Sequence, residues 1–81
     1  MPNLAYELEQ LDLADKHIRE AEVRISHMRS TLQEELASGF DTKEAERAVQ
    51  AALDSLDVFR EHRGLIQQNI QDIRSGKLPS T

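Results

Sequence analysis

The chain of 81 residues contains no cysteine and no tryptophan, and only three glycines, two prolines and three aromatic residues, Tyr6, Phe40 and Phe59. The missing cysteine excludes disulfides, thiolate metal sites and cysteine nucleophiles. The scarcity of glycine leaves no phosphate-cradling loop and no nucleophile elbow, and nothing suggests a sheet that would frame a cleft. The expectation is a protein that is not an enzyme and carries no cofactor. No apolar run approaches membrane-spanning length. The opening Met1-Pro2-Asn3-Leu4 lacks the basic and apolar segments of a secretory signal. No membrane partner and a cytoplasmic location are therefore expected.

Basic charge is also short. Ten lysines and arginines face fifteen acids, giving a net charge of −5. A general nucleic-acid binder needs a basic stripe, so nucleic acid is not expected as a partner. The deficit is uneven: residues 1 to 40 carry eight acids and four bases, against seven and six in residues 41 to 81.

What is present is periodicity. Leu4, Leu11, Ile18, Ile25 and Leu32 recur every seventh position, interleaved with Ala14, Ala21 and Met28. A second stripe holds Val49, Leu56 and Ile70, interleaved with Ala52, Phe59, Ile66 and Ile73. Sevenfold apolar spacing is the mark of long helices paired in coiled-coil fashion. The fold class is all-α: an antiparallel two-helix hairpin with helices at about 3–37 and 42–75, in one domain spanning 1–81. Asn3 is a suitable N-cap. Gly39 supplies a left-handed C-terminal residue. Asp41 is expected to cap the second helix, with Glu44 completing a capping box and Phe40 packing on Ala45 as a staple. Gly76 and Pro79 stop the second helix and leave 76–81 as a frayed tail.

A loop of about four residues makes the helices antiparallel neighbours, with opposed residues whose numbers sum to about 80 or 81. The hairpin core is then Leu11, Ile18, Ala21, Ile25, Leu32, Val49, Leu56, Phe59, Ile66 and Ile70. Phe59 falls over Ala21 and Ile66 over Ala14, large against small. If the Phe59 ring fills that notch, its truncation to alanine costs about 3–5 kcal/mol. Glu22 falls beside Arg60. Arg63 takes a seam position, its stem covering the seam while the guanidinium reaches Asp15 or Glu22. Gly64 in mid-helix marks a bend, a close approach or a tolerated surface position.

A lone hairpin leaves much apolar surface wet. Tyr6, Leu13, His17, Met28, Val58, His62 and Leu65 fall on one side and form a candidate interface. Burying it yields a homodimer in the form of a four-helix bundle. The function expected is a small interaction or regulatory module that self-associates and binds a protein partner. One alternative is an acidic inhibitor or nucleic-acid mimic that uses Glu7, Glu9, Asp12, Asp15, Glu20 and Glu22, an array diluted by Lys16, Arg19 and Arg24. A second alternative is a histidine-based metal or pH sensor. His17 and His62 fall level with each other, with Glu20 and Glu61 nearby, and imidazoles titrate near pH 6.5. His17 and His62 are the candidate metal ligands, with a nearby carboxylate, but no metal is expected, because neither helix carries histidine ligands one turn apart. His27 is expected to face solvent.

The segments Ala14-Asp15-Lys16-His17-Ile18 and Ala21-Glu22-Val23-Arg24-Ile25, the turn Gly39-Phe40-Asp41-Thr42 and the pair His62-Arg63 resemble those of a group of short, uncharacterised bacterial helical-hairpin proteins. The resemblance covers about residues 14–66. It implies a hairpin and no assigned activity. The departures are Gly64 and the Leu65–Thr81 end, where the group carries charged residues.

Overall fold

The computed structural model describes residues 3–78. Two helices, α1 (Leu4–Ala37) and α2 (Lys43–Arg74), account for nearly all of it. They pack side by side in a rod of 58 × 16 × 15 Å. Both are rich in the alanine, leucine, glutamate, arginine and glutamine that favour helix. Local hydrogen bonds one turn apart reinforce α2, from Gln50 to Asp54 and from Gln68 to Asp72.

The helix ends follow the backbone chemistry expected of them. The Asn3 side chain accepts from the Tyr6 N–H at 3.1 Å. Gly39 and Gly76 adopt φ of 80° and 81°. Beyond them, Phe40 N–H donates to Glu35 O and Lys77 N–H to Asp72 O. Both helices thus close with the left-handed glycine and six-to-one hydrogen bond of a Schellman motif. Leu78 N–H also donates to Asp72 O at 3.0 Å, so residues 76–78 of the expected tail are tied back onto α2. Residues 79–81 lie outside the described residues.

The start of α2 differs from expectation. Thr42, not Asp41, is the cap residue, and its side chain makes no capping bond. It is only 7% exposed. Thr42 extends the seven-residue row of Val49 and Leu56 into the seam, which withdraws its hydroxyl from the helix end. The Asp41 carboxylate reaches across instead and accepts from Lys43 N–H at 3.1 Å. Phe40 does not act as a staple: its ring is 67% exposed. The turn is closed by backbone bonds that leave this side chain outside.

The seam buries Ala14, Ile25, Val49, Leu56, Ile66, Ile70 and Ile73. Near the open end, Ala14, Ile66 and Ile70 form a cluster against which Leu4 and Leu11 pack, so Ile66 does meet Ala14. Leu11, Ile18, Ala21 and Leu32, expected in the core, are half-buried. Phe59 departs furthest, at 38% exposed. Its ring stands at the edge of the seam rather than under cover, so its truncation removes less buried surface than a fully enclosed phenylalanine would. Among the described residues no large side chain is fully buried.

The two kinds of glycine should respond oppositely to alanine. A Cβ on Gly64 would meet nothing within 4 Å, so Gly64→Ala should stabilise the chain by up to about 1 kcal/mol. Gly39→Ala should destabilise it by about 1 kcal/mol because of its positive φ. Leu56→Ala should cost about 2–5 kcal/mol. Urea titrations followed by circular dichroism check all three, and stabilisation by Gly39→Ala would contradict the turn geometry.

Candidate functional site: one charged flank and one apolar flank

The seam divides the hairpin into two flanks of opposite character. On the first, Arg63 Nε donates to Asp15 Oδ1, and Arg60 lies 3.8 Å from Glu22 and 4.0 Å from Asp57. Asp15 and Glu22 are seven residues apart and therefore share a strip of α1. Arg63 behaves as its seam position requires, with its side chain 37% exposed and that of Asp15 33% exposed. These pairs agree with the expected register and add little to stability, because each stays substantially wet.

The second flank carries two adjoining grooves. One, of about 710 Å³, is lined by Val23, Met28, Leu32, Ala45, Ala48 and Val49, with Arg19, Arg24 and His27 among its polar residues. The other is lined by His17, Ala21, Ile25, Ala51, Ala52 and Phe59, and shares Glu20, Arg24, Met28 and Ala48 with the first. The alanines of α2 leave these hollows because they lack the bulk to fill them.

Strips spaced by seven carry this flank beyond the grooves. Glu20 and His27 line them, and the same strip of α1 continues to Leu13 and Tyr6. Ala51 lines one, and its strip of α2 continues to Val58 and Leu65. These four end residues are large and exposed: Tyr6 56%, Leu13 46%, Val58 61% and Leu65 66%. The flank thus carries apolar residues along most of the length of the rod, interspersed with Glu20, Arg24 and His27, and Tyr6, Leu13, His17, Met28, Val58 and Leu65 all fall on it. Met28 is half-buried and the others are exposed.

The histidines lie along the second flank. The His17 ring lies 6.3 Å from that of Phe59, tilted by 42°. His62 is exposed and, seven residues from Ser55, belongs to the same flank as His17. His27 is exposed, as expected, and lines the first groove. Among the described residues no three histidines or carboxylates gather closely enough to hold a metal ion.

Glu7 was not legible as a buried residue. Counted with the acidic surface in the sequence, it is 8% exposed. The signal was available: Glu7 stands seven residues before Ala14 in the seam row. No described side-chain nitrogen or oxygen is buried without a hydrogen-bond partner, so this position strands no polar atom.

No family model, curated protein or solved structure matches the chain. Among the described residues, no helix is long and apolar enough to cross a membrane.

The Asp15–Arg63 pair should show a coupling of about 0.5–1 kcal/mol in a double-mutant cycle of Asp15→Asn and Arg63→Met. The coupling should shrink as salt is raised to 1 M. A coupling above about 3 kcal/mol that ignored salt would mean that the pair is far drier than its exposure indicates.

Proposed function

We propose that this chain is a non-enzymatic interaction module that self-associates through its apolar flank. Two hairpins would bury Tyr6, Leu13, His17, Met28, Val58, His62 and Leu65 against each other and form a coiled-coil-type four-helix bundle. The charged flanks and outer surfaces would stay free to meet a protein partner in a cytoplasmic setting. The observation that carries this reading is the position of the grooves opposite the ion pairs, although Leu8 and Leu36 are also exposed on the strip of Asp15 and Glu22. Four large apolar residues, each 46–66% exposed, continue the line of two apolar grooves, while the cross-helix ion pairs stand on the opposite flank. A contiguous apolar surface on a chain this small calls for cover.

The acidic-mimic reading has less behind it. Of its six carboxylates, Glu7 is buried, and Asp15 and Glu22 are engaged by arginine. This halves the free anionic array. The sensor reading rests only on the placement of His17 and His62 on one flank.

Sedimentation equilibrium at micromolar concentration should give twice the chain mass of 9.2 kDa. Leu65→Glu or Val58→Glu should return the protein to the monomer and lower its melting temperature. Gln67→Glu, away from that flank, should leave the dimer intact. A wild-type monomer at 100 μM would overturn the proposal.

A further inference from the structure

The apolar flank is uneven along its length, and the unevenness selects one way for two copies to meet. Apart from Val23 at the rim of the first groove, its protruding residues extend from the middle to the open end: Val58 at mid-rod, then Leu13, Leu65 and Tyr6. Its hollows occupy the other half. Both grooves are lined only by residues within 17–32 of α1 and 45–59 of α2, where Ala45, Ala48, Ala51 and Ala52 form one wall. We propose that the two copies pack about a two-fold axis perpendicular to the rod. The loop of each then lies at the open end of the other, with α1 against α1 and α2 against α2. This inference rests on the self-association proposed above and specifies its geometry.

Three features fit this arrangement. Reversing α2 about Val58 sets Val58 against its own counterpart and Leu65, seven residues beyond it, against the partner's Ala51, seven residues before. The same reversal carries Leu13 towards the hollow beside the partner's Met28. Protrusions then fill voids, which close packing rewards. The charges agree. Glu20 and Arg24 are one turn apart at mid-rod and both line the grooves. Reversing α1 about the level of Glu22 pairs Glu20 with the partner's Arg24 and Arg24 with the partner's Glu20. A single i,i+4 pair thus supplies two intermolecular contacts, as a self-complementary interface requires.

The alternative two-fold axis, along the rod, fails on both counts. It lays α1 over the partner's α2 at the same level. Leu13 would then meet Leu65, one alanine-walled hollow would face another, and Glu20 and Arg24 would face the region of Val58 and Ser55 without a counter-charge. Unfilled space between apolar walls destabilises such a contact.

Because the chain has no cysteine, a single introduced thiol reports the geometry cleanly. A nitroxide on Ser38→Cys marks the loop. In the reversed arrangement, pulsed dipolar spectroscopy should give an intermolecular distance of roughly 50 Å, the length of a 34-residue helix. Air oxidation of Val58→Cys should give a disulfide-linked dimer, while Ser38→Cys should stay unlinked. A dimer whose loop labels lie within about two helix diameters, roughly 20 Å, overturns the reversed geometry and leaves self-association standing. A monomer by sedimentation overturns both. Circular dichroism checks each variant, and Gln33→Cys near the same end gives the same discrimination if Ser38→Cys loses helicity.

Discussion

Two parallel cylinders touch along one line, and the rest of this structure depends on that constraint. A residue on the contact line is covered by the facing helix alone and stays open towards both flanks. The consequence is visible in the best-buried positions. Leu56, Ile25, Ile66 and Ile70 retain 4 or 5% exposure, and among the described residues no large side chain reaches full burial. A row repeating every seventh residue keeps both helices on the contact line for the length of the rod. It cannot widen that line into a core. The hydrophobic gain of the single chain is limited accordingly, whatever the helix propensity of its sequence.

Arg63 shows how the seam accommodates a charge. It stands in the row of Leu56 and Ile70, yet its long stem lets the guanidinium leave the seam sideways and meet Asp15. That choice of side matters. With Arg60 and Glu22 on the same flank, the cross-helix ion pairs gather on one side, and the opposite side carries grooves whose apolar lining is interspersed with Glu20, Arg24, His17 and His27. The two flanks therefore differ by design of the sequence: one is closed by wet ion pairs, and the other holds the hollows and protrusions from which self-association is proposed. The same segregation weakens the case for an acidic surface field, because carboxylates paired with arginine contribute little net potential to their surroundings.

Most of the fold was legible because its signals are local or periodic. The sevenfold rows placed both helices. The cap at Asn3, the left-handed Gly39 and the stop at Gly76 set their ends to within a residue. The register was recoverable because a short loop leaves antiparallel helices little freedom to slide, and the predicted neighbours Asp15 and Arg63, Glu22 and Arg60, and Ala14 and Ile66 all meet. The misses share another character. Asp41 and Thr42 are both good cap residues, and only the pull of the seam on Thr42 decides which one caps. Phe59 occupies a seam position in the pattern, but the exposure of a large ring depends on whether the opposing alanine leaves a notch or a gap. Glu7 reads as surface by residue type and as seam by spacing, and spacing prevails.

By itself, then, the sequence determined the two rods, their glycine stops and their antiparallel pairing, since each of these follows from the spacing of residues along a helix of fixed geometry and from a short loop. Only the tertiary structure decided how far each seam residue is covered, that the His17 ring lies beside that of Phe59, and that the grooves of the flank lie towards the loop. Those properties arise from the shapes of side chains on two different helices meeting at a given height, and no periodicity within one helix encodes the space that its neighbour leaves unfilled.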